Sequence, residues 1–194
     1  MAGKTIVETK RGFSRRHLLV AGIGTVAIPS LLQSPASLFS ATPAEARAVQ
    51  QQATADDERL MRLALDEARQ GDYPFGTVIT RNGEVLETGR NLGKEYQDPT
   101  AHGEMVAIRR FLARYGPDQL KGCTLYTSGE PCVMCMGAII WCSIARVVYA
   151  ASIEQLAAKI GQIMVSSSEI ADKTPFETIE ITGGVLADEA MKLF

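Results

Sequence analysis

Glu130-Pro131-Cys132-Val133-Met134-Cys135-Met136-Gly137-Ala138-Ile139-Ile140-Trp141 is the stretch that decides how this sequence folds. The run before it, Thr124 to Thr127, is short and β-rich and reads as a strand. Pro131 then opens a segment through Cys142 that reads as a helix, with proline in the first turn, where a missing N–H is tolerated. Cys132 and Cys135, three apart at that helix start, point their sulfurs to one side. The positive end of the helix favours the thiolate form.

Working outward, helical and strand patterns alternate. Asp56 to Gln70 carries one apolar stripe (Leu60, Met61, Ala64, Leu65, Ala68), with Gly71 as a C-cap. Phe75–Thr80 and Glu84–Thr88 are strand-like, and the Asn82-Gly83 pair between them signals a hairpin. A glycine- and proline-punctuated loop from Gly89 to Pro99 leads into a helix over Thr100–Arg114. Ala145–Ala151 reads as an apolar β-branched strand and Ile153 to about Val165 as helix. Ser166-Ser167-Ser168 reads as loop, Thr178–Thr182 as strand and Ala187–Phe194 as a terminal helix. Strands alternating with helices of roughly 10 to 15 residues imply an α/β layer fold around one sheet.

The chain has 194 residues, 46% of them hydrophobic, with Lys+Arg 20 against Asp+Glu 22. That total averages two unlike parts. Residues 1–48 hold six basic and two acidic residues, leaving fourteen basic and twenty acidic over 49–194, a net charge of −6. Such a domain lacks the basic field with which proteins hold nucleic acid.

Within the basic part, Ser14-Arg15-Arg16-His17-Leu18-Leu19 precedes a weakly apolar stretch to Leu32, and Ala46-Arg47-Ala48 forms an A-x-A site before Val49. This order resembles a bacterial twin-arginine export signal, although Leu18 stands where Phe is favoured and Val20 where Lys is common. The competing readings are an amphipathic N-terminal arm and an uncleaved membrane anchor. On the export reading, residues 1–48 are a signal peptide, 49–55 a short linker and 56–194 a single periplasmic domain without stable membrane association.

Beyond residue 48 the only histidine is His102, in His102-Gly103-Glu104, also at a helix start. His102, Cys132 and Cys135 can give Zn2+ three protein ligands and leave the fourth tetrahedral position open, as catalytic rather than structural zinc requires. Each piece alone has a plainer reading. C-x-x-C in an exported protein is a disulfide or redox pair, a single His a satisfied core or surface residue, and a first-turn Glu a dipole partner. Together and in this order they make H-x-E followed by P-C-x-x-C, the pattern in which the Glu is acid/base catalyst and not a ligand. Cys123 and Cys142 read as small buried apolar residues, with a disulfide between them as the alternative.

From Asp56 to Phe194 the sequence resembles the cytidine deaminase-like superfamily, in the branch of guanine deaminases, fungal-type cytosine deaminases and tRNA adenosine deaminases. The resemblance rests on Pro74-Phe75-Gly76, Asn91, Asp98-Pro99-Thr100-Ala101-His102-Gly103-Glu104 and Leu125 through Trp141. It implies a three-layer α/β/α sandwich with a mixed five-stranded sheet, a homodimer, and hydrolytic deamination of a nucleobase or nucleoside with release of ammonia. It further implies Glu104 as the proton shuttle, with Asn91, Phe75, Ser128 and Trp141 as substrate contacts. The clues to substrate diverge. Trp141 resembles guanine deaminases, Gly103 the fungal-type cytosine deaminases, and Gly184-Val185-Leu186-Ala187-Asp188-Glu189 the tRNA adenosine deaminases. Glu154–Ile163 lacks an Asp-rich segment for reading a purine edge, and Trp141 is equally a core or interface aromatic. The expectation is a small molecule and not a nucleic acid, with a purine base such as guanine first, cytosine or adenosine-type substrates as alternatives, and a non-catalytic zinc-stabilised binding protein as the competing class.

Overall fold

The computed structural model describes residues 49–50 and 52–194; the twin-arginine-like segment 1–48 lies outside them. Two residues of the expected linker form a strand, β1 (Val49–Gln50). Helix α1 (Ala55–Ala68) follows, and its start is set by Thr54. The Thr54 hydroxyl accepts from the Asp57 N–H at 3.2 Å, and the Asp57 carboxylate accepts from the Thr54 N–H at 2.8 Å. This reciprocal cap satisfies two otherwise orphaned donors.

Strands β2 (Gly76–Arg81) and β3 (Glu84–Arg90) form the expected hairpin. Asn82 and Gly83 both take positive φ, 52° and 79°, as a turn matching the strand twist requires. Helix α2 (Gly103–Tyr115) starts three residues later than its apolar pattern suggests. The reason is local: the Asp98 carboxylate accepts from the Thr100 N–H at 2.8 Å and its hydroxyl at 2.6 Å, holding that stretch in a turn. Then come β4 (Thr124–Gly129), α3 (Val133–Trp141) and β5 (Arg146–Ala151).

Two expectations for the last part are corrected. The helix expected over 153–165 is only α4 (Ile153–Ala157). Beyond it the apolar residues have no stripe to bury, Ile163 and Met164 being 63% and 58% exposed. Ser166-Ser167-Ser168, expected as loop, starts helix α5 (Ser167–Asp172), because the Ser166 hydroxyl accepts from the Glu169 N–H at 3.1 Å. Strand β6 (Glu180–Thr182) and helix α6 (Ala187–Ala190), continued by a 3-10 turn at Met191–Leu193, complete the fold.

The sheet order is β1-β6-β5-β4-β2-β3, mixed because β2 runs antiparallel to both β3 and β4 while the other pairs are parallel. Five strands make the expected sheet, and the short β1 adds a sixth at its edge. Adjacent residues of the central strands feed opposite layers, as the two-residue period of a strand demands. Val78, Tyr126 and Val148 pack with Leu60, Met61 and Leu65 of α1, whereas Ile79, Leu125 and Val147 pack with Phe111 of α2 and Ile139 of α3. The result is the expected α/β/α sandwich.

Glycine permits two close approaches. A Cβ on Gly76 would lie 2.2 Å from Ala64 O, and one on Gly89 would lie 2.4 Å from Gly103 O. The first seats α1 on β2 and the second seats the start of α2 on β3. At that outer edge, the β3 carbonyls of Leu86 and Thr88 accept from the Tyr115 hydroxyl and the Arg110 guanidinium, both at 3.4 Å. No helix among the described residues is long and apolar enough to cross a membrane.

Candidate active site

Two of the three candidate metal donors sit at helix N-caps, one step before the first turns where the sequence suggested them, and the third lies within the first turn. His102 caps α2 and Cys132 caps α3, both with extended backbone (ψ 157° and 170°), and Cys135 is the third residue of α3. The hairpin and the end of β4 aim these two helix starts at each other. His102 Nδ1 lies 3.7 Å from Cys132 Sγ and 3.6 Å from Cys135 Sγ. Tetrahedral zinc with ordinary Zn–N and Zn–S bonds puts N and S about 3.6 Å apart, so the donor set fits the ion.

The electrostatics agree. Hydrogen bonding from Cys135, then from His102, holds the Cys132 thiol down to about 4 despite burial. That is the thiolate a metal needs. All four cysteines are unpaired, Cys123 buried and Cys142 half-buried, so the disulfide alternative does not occur.

Glu104, the second residue of α2, is 3% exposed, and its Oε2 has no hydrogen-bond partner. Burial raises its carboxyl above the usual carboxylate range. A buried carboxylate oxygen without a partner is costly unless something else meets it. Glu104 lines a cleft of about 510 Å³ together with Phe75, Asn91, His102, Glu130, Cys132 and the Ile160–Ile163 segment, among others.

The other predicted contacts separate into two groups. Phe75 and Asn91 line the cleft. The Phe75 ring lies parallel to the His102 ring (6.4 Å between centroids, 7° between planes) and is met edge-on by Phe194 at 5.2 Å. Asn91 Oδ1 accepts from the Gly93 N–H at 3.1 Å, which leaves the amide NH2 as the group to offer. Ser128 and Trp141 do not line the cleft. The Ser128 hydroxyl accepts from the Gly76 N–H at 3.0 Å and donates to Pro74 O at 3.1 Å, fixing the turn that carries Phe75. Trp141 is 75% exposed and packs on Phe176 with ring centroids 4.8 Å apart.

Sequence reading missed Glu130, and it expected helix where the segment after α4 lines the cleft. Glu130 is 5% exposed and lines the cleft. Its place beside Pro131 was a signal, but its partners are far along the chain.

Residues 54–151 match the cytidine and deoxycytidylate deaminase zinc-binding region. The chain belongs to this family. A guanine deaminase of Bacillus subtilis (strain 168) is 44% identical over 95 residues, 48% of this chain and 61% of the relative. A tRNA-specific adenosine deaminase of Aquifex aeolicus (strain VF5) is 38% identical over 98 residues, 48% of this chain and 65% of the relative. The chain thus spans under two thirds of the length of both. A solved structure from work on A-to-I editing by tRNA:A34 deaminases superposes with TM-score 0.61 at 31% identity, covering 70% of this chain and 99% of that one. The chain is thus a zinc-binding deaminase-family domain, and among its described residues His102, Cys132 and Cys135 are the group that could hold the ion.

Proposed function

We propose that this protein is a zinc-dependent hydrolase that deaminates a purine nucleobase, guanine first, releasing ammonia. One observation carries the reading: Glu104, whose Oε2 is buried and unpartnered, lines the same cleft as the metal donors His102 and Cys132. A purely structural zinc site has no use for such a group.

Zinc, when bound, supplies the Lewis acidity that lets water lose a proton near neutral pH. The Asn91 NH2 donates to a ring nitrogen or carbonyl of the base, and Phe75 offers an apolar face to its plane. Glu104 Oε2 takes a proton from the water that adds to the ring carbon bearing the exocyclic amine. It passes that proton to the ring nitrogen as the C–O bond forms, then takes the second proton from the newly added hydroxyl and gives it to the amine, so the C–N bond breaks and ammonia leaves.

Support for a small purine comes from the likeness to guanine deaminase and from the −6 charge of residues 49–194, which opposes a polyanionic substrate. Trp141, away from the cleft in one chain, adds no support. The likeness to tRNA adenosine deaminases favours adenosine as the second reading. An ammonia-release panel on the zinc-loaded protein, with guanine, cytosine, adenine and their nucleosides, tests both. Release from guanine alone is expected; release from adenosine alone selects the second reading, and no release from any compound overturns catalysis on these substrates.

We further propose a homodimer exported to the periplasm through residues 1–48. Retention of Arg15→Lys/Arg16→Lys protein inside the cell is expected, and normal export of that variant counts against a twin-arginine route.

A further inference from the structure

We infer that Glu130 is a positioning residue that sets substrate binding, because its two carboxylate oxygens fix both ends of the chain segment forming one wall of the cleft. The inference rests on the deaminase reading given above for its kinetic arm alone.

Oε2 accepts from the Ile153 N–H at 2.9 Å and Oε1 from the Ser167 N–H at 2.7 Å. These are the first residues of α4 and α5, helices of five and six residues. Helices so short do not hold themselves in water. Each has its third N–H satisfied by its own serine cap, Ser152 on Gln155 and Ser166 on Glu169. The first N–H of each is left for an acceptor from elsewhere, and a carboxylate facing two positive helix ends suits both.

Glu130 itself is anchored. Its N–H donates to Ala151 O at 2.7 Å at the end of β5, and the Ser167 hydroxyl donates to Pro131 O at 3.3 Å. Between the two capped helices runs the loop that contributes Ile160, Gly161, Gln162 and Ile163 to the cleft. With Ile163 63% exposed, packing of this residue does little to hold the loop. Its placement therefore depends on the two helices that flank it, and the first residues of both meet on one side chain. Glu130 has both oxygens engaged and does not move protons, so its loss should weaken binding and leave the chemical step intact.

Glu130→Gln tests this, since the amide keeps one acceptor and turns a donor toward the other N–H. Expected in zinc-loaded protein is a KM raised about tenfold or more, with kcat within about threefold and unchanged zinc content. Hydrogen exchange gives a readout independent of turnover: amides of 158–166 should exchange at least about tenfold faster, with α2 and α3 unchanged. Ser167→Pro is the second variant. Proline is tolerated at a first helical position, and Ser166 (φ −70°, ψ 156°) already has the backbone a following proline needs. It removes one donor without touching Glu130 and should also speed exchange in 158–166; Ser167→Ala controls for the lost hydroxyl. Unchanged exchange in both Glu130→Gln and Ser167→Pro overturns the inference, as does parallel loss of kcat and zinc with KM unchanged. If the wild type deaminates nothing in the panel while exchange responds as expected, the deaminase reading falls and the positioning role stands.

Discussion

Arg146 and Asp57, 89 residues apart, form a two-pronged ion pair: Nη1 donates to Oδ1 at 2.8 Å and Nη2 to Oδ2 at 3.0 Å. The Tyr126 hydroxyl donates to Oδ1 at 2.9 Å, and Arg146 Nη2 also reaches the Thr182 hydroxyl at 2.8 Å. One carboxylate thus joins α1 to β4 and β5, and through Arg146 to β6. Its side chain is 1% exposed, and that of Arg146 15%. Removing either partner strands the other. Arg146→Met or Asp57→Asn should each cost about 3 kcal/mol of stability in a denaturant titration, while zinc content of the folded fraction stays the same. A loss well below 1 kcal/mol would mean that water reaches the pair.

The same pair makes a pH prediction. Burial pushes the Asp57 carboxyl up, but Arg146, then Thr54 and Tyr126, outweigh it and hold the group at about 2, below the ordinary 3.8. The folded-state value is depressed, so the stabilisation is full above 3.8 and is lost as pH falls toward 2. Wild-type stability should therefore fall more steeply across that acid window than that of Asp57→Asn. Parallel slopes would remove Asp57 from the account.

Glu104→Gln should keep zinc and lose about 10²- to 10⁴-fold in kcat, because the amide cannot shuttle protons. Cys135→Ser, in contrast, should lose zinc by metal analysis and melt at a lower temperature than the zinc-loaded wild type, because metal bound only to the folded state stabilises it. If Glu104→Gln lost zinc as Cys135→Ser does, its carboxylate would be a ligand.

Gly76→Ala should destabilise by about 1–3 kcal/mol or more, since the new methyl would fall 2.2 Å from both Ala64 O and Ala68 N. Thermal melting checks it. An unchanged melting temperature would show that α1 can lift from the sheet without loss.

How much of this was legible beforehand depended on the range of the interaction. The grouping of His102, Cys132 and Cys135 and the place of Glu104 in the cleft were readable because such chemistry is carried by residue type at short spacing, and the hairpin was readable because Asn82-Gly83 is a local signal. Helix starts slipped by one to three residues where a side chain such as Thr54 or Asp98 took over the local hydrogen bonding. Glu130 was opaque for the opposite reason: its letter is ordinary, and its partners Ile153 and Ser167 lie 23 and 37 residues away. Trp141 shows the converse, a distinctive residue that one chain places away from the cleft. Ser166-Ser167-Ser168 looked like a linker because a serine run is compatible both with a loop and with a helix cap.

The outer rim of β3 has a bearing on colloidal behaviour. An unpaired strand at the end of a sheet is a template onto which another molecule can add a strand, the first step of edge-to-edge aggregation. Tyr115 and Arg110, reaching over from α2, already occupy the carbonyls of Leu86 and Thr88. An incoming strand would have to displace them, so the helix that presents His102 and Glu104 also guards the protein against polymerising through its own sheet.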